Sequence, residues 1–160
     1  MSKYKATIRW SRDGQKFIEN KYSRVHQWSF DSGQVIRASA SPNIVPTPYA
    51  DSSAVDPEEA FVASISSCHM LWFLSIAAEK GFIVDEYEDY ATGVLAKNEQ
   101  GKLAITSVTL RPSVSYATQA HANKKENHSL HREASKKCFI ANSVRTDVEI
   151  KSSIKTTHPE

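Results

Sequence analysis

Residues 56–82 read DPEEAFVASISSCHMLWFLSIAAEKGF, and this stretch decides the fold class. Asp56 can cap a helix, the proline after it suits the first helical position, and the next two acids complement the helix dipole. No charged side chain follows from Ala60 to Ala78 if His69 is neutral, and a glycine soon after ends the pattern. The sequence therefore predicts a long central helix over about 57–80, buried in a hydrophobic core.

The uncharged run is nearly long enough to cross a bilayer. Four serines and His69 interrupt it, however, and no other segment of the chain has a membrane-like composition. The first residues, MSKYKATIRWSRDG, lack the apolar region that a signal peptide requires. We therefore expect a cytoplasmic protein with no membrane partner.

The composition is that of a small globular protein. With 160 residues, the chain can build one domain, 1–160, around one core. Its formal net charge of +2 offers no concentrated basic surface, so we expect no nucleic-acid partner. Two cysteines are too few for a disulfide scaffold, and in a reducing cytoplasm they are inert, bound to metal or chemically active.

Strand patterns lie on both sides of the central helix. Alternating apolar residues, with turn signals at Asp13-Gly14 and Asp31-Ser32-Gly33, predict strands in the first third of the chain. The predicted order is strands at about 3–37, a proline-rich crossing loop at about 39–55, a hairpin at about 92–116, a second helix at about 123–138 and a last strand at about 144–155. This order indicates an α+β fold with helices on one side of antiparallel sheet. Exposed polar termini such as Thr156–Glu160 are usually disordered, and the sequence carries no signal of its own for this tail.

The two cysteines have ordinary structural explanations when each is taken alone. Cys68 lies in the middle of the apolar helix, and free cysteine is among the most buried residue types. Cys138 follows Lys136 and Lys137, which can be a solvated face. A cation so close would nevertheless lower the pKa of a thiol and favour the reactive thiolate. Packing and chemistry are both open for each cysteine at this point.

Histidines near these cysteines raise metal binding as an alternative. His69 adjoins Cys68, and His128 and His131 are three residues apart, at helical spacing. Zinc sites usually contain paired ligands such as Cys-x-x-Cys, and this sequence has none. We therefore interpret the histidines as surface or packing residues and expect neither a metal site nor a bound cofactor.

Two segments together resemble a known family. The helix segment 56–82 and the later HREASKKCFIANSV, residues 131–144, are similar to the OsmC/Ohr family of osmotically inducible and organic hydroperoxide resistance proteins. Within it, the chain most resembles the OsmC-like branch that also carries a YSRxHxWxFD segment, here Tyr22–Asp31. The resemblance covers nearly the whole chain. It implies the OsmC-like fold, with antiparallel sheets around a central helix that carries Cys68, in an intertwined homodimer.

The resemblance implies a thiol peroxidase that reduces organic hydroperoxides to alcohols in oxidative or osmotic stress defence. In the family, the first cysteine is the peroxidatic nucleophile and the second resolves it, and these roles fall on Cys68 and Cys138. Cys68 would become a sulfenic acid, and Cys138 would condense with it to a disulfide. Dihydrolipoyl proteins or small dithiols would then reduce the disulfide. Apolar neighbours of Cys68, namely Met70, Trp72 and Phe73, suit organic hydroperoxides.

The family also uses a glutamate and an arginine. The glutamate of the Pro-Glu motif corresponds to Glu58. The arginine comes from the N-terminal strands, where Arg24 is the first choice, Arg12 the next and Arg37 the third. An arginine at Cys68 would favour the thiolate by charge attraction, and Glu58 would orient that arginine.

Helix geometry adds a constraint on where Glu58 can act. Glu58 precedes Cys68 by ten residues, so in one straight helix they lie about 15 Å apart and on different faces. A two-fold dimer with antiparallel central helices can bring Glu58 of one chain to Cys68 of the other. We therefore expect a homodimer with two sites at its interface.

Two other functions are compatible with the sequence. The first is a non-enzymatic OsmC-like thiol protein that binds a hydrophobic small molecule or senses oxidants through Cys68. The second is a structural stress protein that can hold zinc. The presence of both cysteines together with the helix-start glutamate favours the peroxidase.

Overall fold

The computed structural model describes residues 1–155, so the expectation for the tail Thr156–Glu160 lies outside the described residues. The strands are β1 Ala6–Arg9, β2 His26–Phe30, β3 Val35–Ala38, β4 Val84–Asp89, β5 Thr92–Lys97, β6 Leu103–Leu110, β7 Pro112–Tyr116, β8 Asp147–Ile150 and β9 Ser153–Ile154. The helices are α1 Pro57–Glu79 and α2 Lys124–Lys137, with short 3₁₀ turns at Thr118–Ala120 and Ala141–Ser143. This is the predicted α+β fold, and its contacts divide into two compact units, Met1–Ala60 and the part from Phe61 onward.

In the first unit, β1, β2 and β3 form an antiparallel sheet in that order. Trp28 at its centre pairs with Ile8 on β1 and Ile36 on β3, a cross-strand arrangement of large side chains that stabilises a sheet. Gly33, at φ +83°, lies in the β2–β3 turn, a conformation that favours glycine. Between β3 and α1, residues 39–56 form turns and extended chain without a helix or strand, as the prolines predict.

Helix α1 begins with a reciprocal capping box. The Glu59 N–H donates to Asp56 Oδ1 at 2.8 Å, and the Asp56 N–H donates to Glu59 Oε2 at 3.2 Å. The helix ends at Glu79, and Gly81 then adopts φ +82°. The sequence predicts both ends, because the capping residues and the closing glycine are local signals.

The second unit holds two further sheets, ordered β4-β7-β9 and β5-β6-β8. The pairs β4–β7 and β5–β6 are antiparallel, whereas β6–β8 and β7–β9 are parallel. The expected antiparallel sheets are therefore mixed sheets here. Parallel neighbours need a long crossover connection, and the segment that contains α2 supplies it.

Two segments that the sequence predicts as single strands each contain two strands. The segment that ends at Tyr116 divides at Arg111, whose backbone N–H donates to Asp89 Oδ1 at 2.5 Å. The last strand likewise divides into β8 and β9, which join different sheets. The sequence pattern also does not predict β4, because four of its six residues are acidic. Apolar alternation records which side chains are buried, and it does not record which strand is the neighbour.

Helix α1 supplies the core of the second unit. Phe73, Ile76 and Ala77 pack with side chains from β7, α2 and the segment between them, namely Val114, Tyr116, Ala122, Leu130 and Ala134. Ile65 packs with two residues of β6, Val108 and Leu110. Among the described residues, α1 alone is long and apolar enough to cross a membrane, and one of its faces packs in these two clusters.

Candidate active site

The two cysteines meet where α1 contacts α2. Cys68 is half-buried in the middle of α1. Cys138, of which only 1% is exposed, is the residue that caps the C-terminus of α2, and its N–H donates to Ala134 O. Both are free thiols, and their sulfurs interact. Two residues from distant parts of the sequence therefore form one dithiol pair.

The Cys138 thiol is held in its protonated form. Burial first, and then a hydrogen bond with Cys68, raise the pKa of the Cys138 thiol to about 11. The Ala141 N–H donates to the Cys138 sulfur at 3.4 Å and acts in the opposite direction. With its pKa raised in this way, Cys138 stays a neutral thiol at pH 7 next to Cys68. The pair is therefore asymmetric, with a buried thiol at Cys138 and a more accessible one at Cys68.

Lys136 and Lys137 do not lower the pKa of Cys138. Of the two explanations that the sequence allows for these lysines, the one in which they activate the thiol is therefore not supported. Lys137 Nζ lies 5.4 Å from the centroid of the Trp72 ring and 3.8 Å from Glu133 Oε1. Removing a thiolate from water costs more free energy than attraction to such solvated charges returns. The two lysines are therefore part of a solvated face.

Aromatic side chains line the α1–α2 contact beside the thiols. Trp72 lies one turn after Cys68 on α1 and meets Phe139 edge to face, with ring centroids 5.4 Å apart. Phe139 follows Cys138 and is 67% exposed, and Leu71 on α1 is 61% exposed. The dithiol pair therefore borders an apolar surface that is open to solvent.

A buried histidine pair joins the same two helices. His69 Nε2 and His131 Nδ1 are 2.9 Å apart, their rings are nearly parallel, and both side chains are almost completely buried. Phe73 stacks on His131 at 4.2 Å, so it belongs to this core and not to a surface that a peroxide can reach.

Both histidines are neutral at pH 7. Burial lowers the pKa of His69 to about 4, and the negative charge of Asp89 opposes this effect only in part. Burial, then the neighbouring His69 and His128, lower the pKa of His131 to about 3. The pair therefore carries one shared proton in its hydrogen bond and no net charge.

Two of the three histidines that raised metal binding are paired with each other. His69 and His131 bond each other, and His128 is exposed on α2. Within residues 1–155, no group of three or more His, Cys, Asp or Glu side chains is arranged to hold a metal ion. The packing interpretation therefore fits His69 and His131.

A polar group on β4 lies close to this pair. Ser66 Oγ donates to Asp89 Oδ2 at 2.5 Å, and Asp89 also accepts the Arg111 N–H. In the part of the chain that the structure describes, the Tyr87 hydroxyl and His131 Nε2 are buried without a hydrogen-bond partner. Burial, then the charge of Asp89, raise the pKa of the Tyr87 hydroxyl. Asp89 is therefore the negative charge that the buried groups of this region experience.

Glu58 is half-buried in the first turn of α1. No arginine forms an ion pair with it among residues 1–155. Because α1 is continuous from Pro57 to Glu79, the spacing along the helix between Glu58 and Cys68 is the one that the sequence predicts. The role of Glu58 at the Cys68 thiol stays a prediction.

The candidate arginines make contacts within the first unit. Arg24 donates to the Tyr22 carbonyl oxygen at 2.5 Å and stacks on the Tyr22 ring, 3.7 Å from its centroid. Arg37 forms an ion pair with Asp51 at 2.6 Å, and Arg12 donates to a carbonyl oxygen of its own turn. The choice of Arg24 as the residue that assists Cys68 stays a prediction.

Sequence reasoning missed the pairing of His69 with His131. The signal available was that each histidine accompanies a cysteine: His69 follows Cys68 directly, and His131 precedes Cys138 by seven residues. Seven residues are two turns of a helix, so His131 and Cys138 share one face of α2. Only the tertiary structure shows that this face meets α1.

Comparisons with known proteins agree with this fold. The family described as OsmC-like protein matches residues 50–153. The structure of an OsmC-like protein of unknown function from Vibrio cholerae is 47% identical, with coverage of 97% of this chain and 100% of that chain and a TM-score of 0.92. No protein of curated function matches the chain.

Two structures of organic hydroperoxide resistance proteins match at lower identity. The protein from Elizabethkingia anophelis is 16% identical, with coverage of 98% of both chains and a TM-score of 0.71. OhrB of Bacillus subtilis is 18% identical, with coverage of 96% of this chain and 98% of that chain and a TM-score of 0.63. At these identities the likeness shows a shared fold.

Proposed function

Because the chain belongs to the OsmC-like family, we propose that it is a cysteine-based peroxidase that reduces organic hydroperoxides to alcohols in stress defence. The observation that carries the proposal is the Cys68–Cys138 pair, in which two free thiols interact and only one is accessible. A peroxidatic cysteine has to meet the peroxide, whereas a resolving cysteine has to meet only the first cysteine. The half-buried Cys68 and the buried Cys138 fit these two tasks in that order.

The proposed cycle uses two steps at sulfur. The Cys68 thiolate attacks the distal oxygen of the hydroperoxide, so an S–O bond forms, the O–O bond breaks, and the alkoxide takes up a proton and leaves as alcohol. The Cys138 sulfur then attacks the sulfenic acid of Cys68 as it gives up its proton, so an S–S bond forms and the hydroxyl group leaves with that proton as water. A dithiol, either small or carried by a dihydrolipoyl protein, returns both cysteines to thiols by exchange.

The asymmetry of the pair supports this assignment of roles. A resolving thiol that is protonated at neutral pH does not compete for the peroxide, because the thiolate is the nucleophile. The exposed apolar side chain of Phe139 suits a substrate with a hydrocarbon substituent.

We also propose that Glu58 and Arg24 assist Cys68 across a homodimer. A glutamate alone would oppose a thiolate, so Glu58 acts by orienting an arginine. The length of α1 separates Glu58 from Cys68 of the same helix, which favours a second chain as the source of the glutamate. The same proposal includes an organic hydroperoxide as the substrate, a dithiol as the reductant and a cytoplasmic location.

The oligomeric state provides the first test. We expect the purified protein at micromolar concentration to have the mass of a dimer by light scattering, because exposed side chains such as Leu71 leave part of α1 uncovered in one chain. A monomer under these conditions would contradict the shared site. A Leu71→Glu variant is the control. The dimer would have to bury the new charge in its interface, so the mass should shift toward that of a monomer.

Thiol counting with a hydroperoxide tests the activity. We expect reduced protein to lose two thiols per chain on addition of one equivalent of cumene hydroperoxide, with an intact mass lower by two hydrogens. The product should contain cumyl alcohol, and a dithiol should restore both thiols. If the thiols survive stoichiometric hydroperoxide, the peroxidase proposal is wrong, and a non-enzymatic thiol protein becomes the better description.

A further inference from the structure

Helices α1 and α2 meet through two pairs of like side chains. On α1, Cys68 and His69 are adjacent, and on α2, His131 and Cys138 lie two turns apart on one face. The thiols interact with each other, and the imidazoles bond each other at 2.9 Å. Any movement of α2 along or around its axis therefore changes both contacts together.

The imidazole contact is the directional one. An apolar contact tolerates small shifts, whereas a buried hydrogen bond fixes distance and angle, and leaving it unmade is unfavourable. Phe73 stacks on His131, Tyr87 lies beside it, and both histidines are buried, so the bond is shielded from bulk water. The exposed ion pair of Lys80 with Glu133 also joins the helices, but solvent-exposed pairs fix geometry weakly.

We propose that His69 and His131 are positioning residues for the dithiol, and that their hydrogen bond keeps α2 in the register that lets Cys138 reach Cys68. The proposal rests on the proposed function only in taking a hydroperoxide as the natural oxidant. Closure of the disulfide itself is a property of the two cysteines. A disulfide needs the two Cα atoms within about 7 Å and a narrow range of dihedral angles, so a shift of about 1 Å in α2 matters.

The protonation state of the histidines belongs to the same argument. A neutral pair has one proton for the two facing nitrogens, which makes one donor and one acceptor. One added proton places a charge among aromatic rings, and a second leaves two N–H groups facing each other. The charged and titratable groups that face the pair are Asp89 near His69 and His128 near His131, with Tyr87 beside the latter. Only Asp89 favours the added charge.

A matched pair of substitutions at position 131 tests the proposal. Asparagine places an amide atom close to the position of Nδ1, the atom that His131 uses, whereas leucine has nearly the same shape without a polar atom. The oxidant is diamide, an azodicarboxamide, which takes up two hydrogens as the two thiols form a disulfide. This reaction needs no peroxidase activity, so it separates failure of this proposal from failure of the proposed function.

We expect His131→Leu to slow closure of the Cys68–Cys138 disulfide by at least about tenfold at pH 7, and His131→Asn to stay within about threefold of wild type. Labelling of Cys68 by a small alkylating agent should change much less than closure, because the bond positions Cys138 and not the nucleophile. With cumene hydroperoxide, His131→Leu should shift Cys68 from disulfide toward sulfinic acid. Equal closure rates in all three proteins would overturn the proposal.

A second variant guards against a failure of His131→Leu to fold. His69→Met/His131→Leu removes both partners, so no buried polar nitrogen of the pair is left without its bond, and the apolar surroundings favour folding. It should close the disulfide at least about tenfold more slowly than wild type while its circular dichroism spectrum stays native. Closure at the wild-type rate in this folded variant would overturn the proposal as firmly as the first result.

Discussion

Replacement of Cys68 by serine is expected to reduce peroxide-driven thiol loss by at least about a thousandfold, the scale on which removal of a catalytic nucleophile acts. Serine keeps the shape of the side chain but has no accessible anion at neutral pH. Cys138 cannot substitute for it, because that thiol is buried and its pKa is raised to about 11. The measurement is the rate of loss of free thiols with cumene hydroperoxide, followed by a thiol reagent and by intact mass.

The matched control for this result is Cys138→Ser. Serine Oγ can still accept the Ala141 N–H, so we expect the fold to persist. Cys68 should then react at nearly the wild-type rate, form no intramolecular disulfide, and gain two oxygen atoms as sulfinic acid. Thiol loss at the wild-type rate in Cys68→Ser would show that another group reacts with peroxide and would contradict the roles assigned here.

The second large effect is a loss of stability in mild acid. His69 and His131 bind a proton at a pKa of 6.5 when the chain is unfolded but only at about 4 and about 3 when it is folded. Below pH 6.5 the unfolded state therefore binds more protons, and folding loses free energy as the pH falls toward 4. At pH 5 each histidine lowers the free energy of unfolding by about 2 kcal/mol, so the pair lowers it by about 4 kcal/mol. Native proteins have only about 5–15 kcal/mol in total.

Urea unfolding at pH 7 and pH 5 measures this effect. Carboxylates with a lowered pKa, such as Asp51 at about 2 through the hydrogen bonds from Ser53 and the Arg37 ion pair, titrate below this window. The comparison protein is His69→Met/His131→Leu, in which the free energy of unfolding should be much less dependent on pH between these values. An unfolding free energy of wild type that is equal at pH 7 and pH 5 would contradict neutral, buried histidines.

The acid effect and the proposed positioning role share one cause. A proton on the histidine pair is unfavourable because the pair is buried among Phe73 and Tyr87, and the same burial keeps the hydrogen bond free from competition with water. Mild acid is therefore expected to affect the contact between α1 and α2 before the sheet of the first unit.

Local signals in the sequence predicted the elements that depend on near neighbours. The Asp56–Glu59 capping box, the uncharged run and the glycine after Glu79 specify α1, because capping, propensity and closure act within a few residues. The turn at Gly33 likewise specifies the β2–β3 hairpin. Neither cysteine could be assigned a function alone, and the resemblance of the whole chain to a family supplied the roles that the Cys68–Cys138 contact now supports.

The sequence by itself determined the fold class, the bounds of α1 and the family to which the chain belongs. The tertiary structure alone decided which strands are neighbours, that Cys138 is buried next to Cys68, and that His69 bonds His131. The physical reason is the range of the interactions. Capping and amphipathic patterns depend on residues that are close in the sequence. The pKa of a buried thiol and a hydrogen bond between two helices depend on side chains that only the packed core brings together.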